Sequence, residues 1–200
     1  MYELNQDGSR KLDSDGNIIP TYDNDDIKEL AQVFTGLGPG DINMYVDWTD
    51  QPYFGLGIWG ADRGVPMIMY DDYHDNSPKE LIGGVTLPAG QDGMTDIEQA
   101  VNHLFNHPNV GPFVCKQLIQ RLIKSNPTPQ YVERVANVFN DNGSGVRGDM
   151  LAVTKAILLD PEARSCGAIS SDASSRLKEP VIKYTQMARG LELILSLIHI

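Results

Sequence analysis

The sequence predicts a mainly α-helical fold: a helical domain with a short N-terminal hairpin and a long, aromatic- and Gly-rich irregular insertion. Three observations predict it. Helical periodicity with matched cap residues runs through most of the chain after residue 94. The period vanishes between residues 37 and 94, a stretch that holds seven of the fifteen aromatic side chains. Two Asp-Gly steps, Asp7-Gly8 and Asp15-Gly16, separate short extended pieces within the first 22 residues, which is a hairpin signal.

Taken in order, "NQDGSRKLDSDGNIIPTY" is the hairpin. Its "DSDGN" segment invites a calcium loop starting at Asp13, but that loop needs Gly at residue 18 and Glu at residue 24. The chain has Ile18 and Asn24, so a tight turn is expected instead. "YDNDDIKELAQVFTGLG" is a helix capped by Asp23 or Asn24, with Ile27, Leu30, Ala31, Val33 and Phe34 as its apolar face and Gly36 or Gly38 at its end. The insertion follows, with Tyr45, Trp48, Tyr53, Phe54, Trp59, Tyr70 and Tyr73 and a short strand expected around "VPMIMY". A long irregular stretch inside a domain is usually functional or disordered, and aromatic content argues against disorder.

The helices then come in succession. Thr95 and Glu98 form a capping box for "DIEQAVNHLFNH". Asn109 caps "VGPFVCKQLIQRLIKS", whose Pro112 falls in the first turn. Thr128 and Pro129 open "NPTPQYVERVANVFNDNG", which closes on Gly143. Asp149 caps "RGDMLAVTKAILLDPEAR", and "LKEPVIKYTQMARGLE" restarts near Pro180. The total is about six helices, on the spacing of caps and breakers alone.

Charge is unevenly placed. Residues 1–100 carry 19 acids and 5 bases, whereas residues 101–200 carry 8 acids and 11 bases, within a formal net charge of −11. An acidic first half excludes nucleic acid as the expected partner, since phosphates require basic groups. Cys115 lies in an apolar helical run and is expected as a buried thiol. Cys166 lies in the polar loop "RSCGAISSDASS", and two cysteines make no disulfide framework. The apolar run "LELILSLIHI" is about half the roughly 20 residues that a membrane-spanning helix needs. No membrane span is therefore expected.

Two stretches hold groups that do chemistry. "NHLFNHPNVGPF" places His103 and His107 four apart, the spacing at which helical imidazoles share zinc. A zinc protease also needs Glu directly after the first His, and that position is Leu104, on an apolar stripe with Ile97, Val101 and Phe105. Pro108 further disfavours helical geometry at His107, so a helix end is the preferred reading. "MYDDYHDNSPKELIGG" is better furnished: Asp71, Asp72, His74 and Asp75 precede Lys79. Carboxylates and an imidazole suit a divalent metal or acid–base work, and consecutive loop acids are as often only solvated. Asp72, His74 and His107 are the candidate metal ligands. His74, Asp75 and Lys79 are the candidate catalytic groups.

The order of these motifs resembles a large bacterial family catalogued as domain of unknown function 1800. The resemblance rests on "LNQDGSRKLDSDGNIIPTYDNDDIKELAQVFTG", "YHDNSPKELIGG", the block from "HLFNHPNVGPF" to "ILLDPEAR", and "RLKEPVIKYTQMARG", and it covers residues 3–190. His74, Asp75, Lys79 and Gly83, the His107-Pro108 step and the Lys178–Pro180 step match its recurrent signatures. The resemblance implies a mostly helical fold, an exported protein in the periplasm or outside the cell, and a companion family that resembles sulfatases. It implies no activity. It also implies a single domain over residues 1–190, the C-terminal part of a longer protein. Residues 191–200 are set apart as a tail, with "LSLIHI" resembling sequencing-adapter read-through.

Two functions are expected from these features. The first is a binding or assembly role toward an exported sulfatase-like partner protein or an extracellular glycan, with Trp48 and Trp59 as stacking residues. The alternative is a metal-assisted, hydrolase-like enzyme. There Asp72, His74 and Asp75 act as ligands or acid–base groups, His107 as a further ligand, and Lys79 as a stabiliser of an anionic substrate group.

Overall fold

The computed structural model describes residues 1–40, 64–165 and 180–190. The chain is mainly α-helical, as expected, with a few short strands. It forms two compact units, Met1–Glu3 with Arg10–Val110 and Leu4–Ser9 with Gly111–Ile200. Tyr45, Trp48, Tyr53, Phe54 and Trp59 of the aromatic insertion, and Cys166, lie outside the described residues.

The N-terminal segment folds back on itself twice. The Glu3 amide donates to the Ile19 carbonyl, the Lys11 amide to Glu3, and the Ile19 amide to Lys11. Tyr2 bridges Pro20 and Leu12 bridges Ile18, both antiparallel. The Asp-Gly steps supply the two turns, with Gly8 at φ 74° and Gly16 at φ 83°. At the second turn the Asp13 carboxylate accepts the Asp15 and Asn17 amides at 2.9 and 2.8 Å, so these groups serve the backbone.

In the first unit, α1 (Asn24–Val33) opens on an Asp23 cap that is reciprocated by Asp26. β1 (Leu37–Gly38) pairs antiparallel with β2 (Ile68–Met69), the strand expected in "VPMIMY". After a 3-10 turn over Asp71–Tyr73, β3 (Lys79–Leu81) and β4 (Val85–Leu87) make an antiparallel hairpin. α2 (Gly93–Asn106) follows. Val33, Leu81, Leu87 and Ala100 form the core, with Leu30 and Ile97 packed against it.

Two expectations about these helices are corrected. α2 starts at Gly93 on an Asp92 cap, not at Thr95, because the Asp92 carboxylate takes the Thr95 amide at 3.0 Å and its hydroxyl at 2.7 Å. The buried faces are also narrower than the apolar stripes. Ile27 and Phe34 of α1 and Val101 and Phe105 of α2 are exposed, while α2 turns Asp96 and Ala100 inward. Asp96 goes in because its hydrogen-bond partners are inside.

In the second unit, α3 (Val110–Leu122), α4 (Pro129–Asn140) and α5 (Met150–Leu159) bury Cys115, Ile119, Tyr131, Val132, Val135, Ala136, Phe139, Val153 and Ile157. Thr128 caps α4, with Pro129 in its first turn, and Asp149 caps α5. The single helix expected over "LAVTKAILLDPEAR" breaks into α5 and α6 (Pro161–Arg164). Asp160 precedes a proline, which disfavours helical ψ, and it stands at ψ 138° as the cap of α6. α7 (Pro180–Gly190) begins at its proline. Among the described residues, no helix is long and apolar enough to cross a membrane.

Candidate functional site

Of the groups singled out in the sequence, the structure brings His74 and Lys79 together, and it does so around a residue the sequence reading overlooked. Asp96, in the first turn of α2, is completely buried. Its Oδ2 accepts from Lys79 Nζ at 2.6 Å and faces His74 Nε2 at 3.1 Å, and its Oδ1 accepts from Gln91 Nε2 at 2.7 Å. The side chains of His74, Lys79 and Asp96 are each 1% exposed.

Each member is placed by its local chain. The 3-10 turn ends at His74, whose amide donates to the Asp71 carbonyl. The imidazole then runs inward, with Nδ1 at 2.9 Å from the Thr35 carbonyl at the end of α1. That oxygen can only accept, so Nδ1 carries a proton and Nε2 is the atom turned to the carboxylate. Lys79 opens β3, and its Nζ also donates to the carbonyls of Asp75 and Ser77, so all three ammonium protons have acceptors. Two glycines let these elements close around the ring. A Cβ on Gly93 would stand 2.5 Å from Met69 Sδ and 2.9 Å from His74 Nδ1. One on Gly36, at φ +81°, would stand 2.8 Å from the Tyr70 carbonyl and 3.1 Å from the His74 amide.

Burial disfavours the charged form of Asp96 most strongly, yet the hydrogen bonds from Lys79, His74 and Gln91 together outweigh it. The carboxyl is held below the usual Asp range. Asp75 is also held low, by the side chain and amide of Ser77. Its carboxylate lies on a turn, at 2.8 Å from the Ser77 amide, and its own amide donates to Thr35 Oγ1. The cluster therefore clasps the end of α1, the 3-10 turn, β3 and α2 through saturated polar groups.

The other candidates lie elsewhere. Asp72 is exposed on the 3-10 turn. His107 is the C-terminal cap of α2 at ψ 137°, as the following proline requires; its Nδ1 accepts the Asn109 amide at 3.2 Å. His103 Nε2 is 2.8 Å from the Ile82 carbonyl. The two histidines expected at zinc spacing thus serve a helix end and a strand turn. Among the described residues, no group of three or more His, Cys, Asp or Glu side chains is placed to hold a metal ion, so Asp72, His74 and His107 do not form one. Trp48 and Trp59 lie outside the described residues. Cys115 is buried, and burial pushes its thiol up to about 12, which leaves it protonated.

Asp96, Gln91 and Thr35 went unnoticed because each has a commonplace local reading. Asp96 reads as a first-turn acid favoured by the helix dipole. One signal was available: Asp96 shares a helix face with Ala100 and Leu104, four and eight residues on, and a carboxylate on an inward face needs a buried cation.

A family model described as "Protein of unknown function (DUF1800)" matches residues 8–199. No curated protein and no solved structure matches the chain.

Proposed function

For this chain, which belongs to the DUF1800 family, we propose a binding or assembly role toward a protein partner, as part of an exported protein. One observation carries the reading. The side chains best suited to chemistry, His74 and Lys79, are spent inside the fold, while large aliphatic side chains stand in solvent on the second unit. On α5, Leu151, Leu158 and Leu159 are 66%, 50% and 62% exposed. Leu151 and Leu158 lie two turns apart, on one face of that helix. On α7, Val181, Tyr184 and Met187 are likewise exposed. Apolar side chains exposed along one helix face suit a contact site, and an aliphatic face suits a protein better than a sugar, which is recognised through stacked aromatics. The sulfatase-like exported family is the partner to try first.

The test is co-elution and titration of the chain with that partner. The double substitution Leu151→Lys with Leu158→Lys should weaken binding at least about tenfold, roughly 1.4 kcal/mol, and leave the thermal transition in place. A double variant that binds as the parent does removes α5 from the interface. No measurable binding by the parent chain removes the proposed partner.

A further inference from the structure

We propose that Lys79 and Asp96 condense to an intramolecular amide, a covalent cross-link between β3 and α2. The inference rests on the geometry of this cluster and is independent of the binding role.

Three features of the site support it. The nucleophile and the acyl group are already in contact, with Lys79 Nζ at 2.6 Å from Asp96 Oδ2. Holding reactants in such contact removes most of the entropic barrier to a bimolecular step. Both side chains are 1% exposed, so the ion pair is desolvated, and converting two buried charges into one neutral amide relieves that cost. The remaining groups are disposed for the reaction: Gln91 Nε2 donates to Oδ1 at 2.7 Å, where negative charge grows as Cγ becomes tetrahedral. His74 Nε2 faces Oδ2, the departing oxygen, at 3.1 Å, with Nδ1 committed to Thr35.

The step balances without any other reactant. Lys79 Nζ bonds to Asp96 Cγ, and the Cγ–Oδ2 bond breaks. One ammonium proton first passes to Oδ2 along the 2.6 Å contact, which leaves the amine lone pair that attacks Cγ; a second follows as the bond breaks, so that Oδ2 departs as water, and the third stays on the amide nitrogen. Oδ1 becomes the amide carbonyl oxygen, still held by Gln91. Nothing is oxidised or reduced. The carbonyls of Asp75 and Ser77 hold Nζ in place as it attacks.

The measurement is the intact mass of the folded, full-length chain, followed by peptide mapping. The chain should weigh one water less than its sequence, and trypsin should fail to cut after Lys79. The map should contain a branched peptide that joins Lys79 to Asp96. Lys79→Arg should restore the full mass. His74→Gln, which keeps a polar side chain in place, should form the bond at least tenfold more slowly in a folded chain. A parent chain that retains its full mass after prolonged incubation, with normal cleavage after Lys79, overturns the proposal. So does a water loss that maps to any other pair.

Discussion

Each unit contains a polar cluster built around a buried acid, and the two differ in how far the cation reaches water. In the first unit, Asp96 is sealed from water together with Lys79 and His74. In the second, Arg134 reaches Asp160 through two hydrogen bonds of 2.8 Å, but the Arg134 side chain is 48% exposed. Glu162 beside it takes Lys124 Nζ at 2.9 Å and the Thr128 amide at 3.1 Å, tying the start of α4 to α6. These bonds span similar lengths, 2.6–3.1 Å around Asp96 and 2.8–3.1 Å around Asp160 and Glu162. What differs is the cation's access to water: Lys79 has none, whereas about half of the Arg134 side chain is in solvent above a buried Asp160.

The comparison can be broken by substitution. Asp96→Ala leaves Lys79 buried without a counter-charge and should cost about 3–5 kcal/mol, read as a fall in the denaturant midpoint. Gly93→Ala should cost about 1–3 kcal/mol, because its Cβ meets Met69 and His74 and packed interiors resist added volume. Asp160→Ala removes both the Arg134 contact and the α6 cap and should cost about 0.5–2 kcal/mol. Arg134→Ala should cost about 1–2 kcal/mol, less than Asp96→Ala, because cutting back a half-exposed side chain opens the buried Asp160 carboxylate to water. A loss for Arg134→Ala that equals the loss for Asp96→Ala would remove burial as the deciding variable.

Acid sharpens the same contrast. Asp96, Asp160 and Glu162 are all held below their usual ranges, against burial, by their donors. A carboxyl whose folded value is depressed stabilises the fold above its unfolded value and loses that contribution as pH falls through the folded value. Stability should therefore be retained above the ordinary Asp and Glu values of 3.8 and 4.5 and fall below them. The Asp160→Asn variant should start lower and show a flatter acid limb in a urea titration run at several pH values. The smallest effect is expected at Lys28, whose contact with Asp25 is fully in solvent; Lys28→Ala should leave the thermal midpoint unchanged.

The sequence disclosed local structure far better than the site. Helix starts at Asp23, Thr128, Asp149 and Pro180 were legible because a cap is a local contract between a side chain and amides two or three residues away. The Asp-Gly turns were legible for the same reason. The break at Asp160 was missed although Pro161 signals it, because the apolar period continues up to that point. His74 and Lys79 stood out by composition, but their chemistry depends on Asp96, 22 and 17 residues away. No local rule links a loop imidazole to a first-turn helix acid. Burial decided the matter, and burial is a property of the assembled unit.

The most direct test of the central claim, that the His74–Asp96–Lys79 cluster is a closed clasp inside the fold, is a pair of thermal melts. The parent and Asp96→Ala would be unfolded side by side, first in chelator and then with added zinc. The account predicts a parent transition indifferent to zinc and a variant transition lower by many degrees. A parent stabilised strongly by zinc, with a variant that melts at the parent's temperature in chelator, would contradict it and return His74 to a metal site.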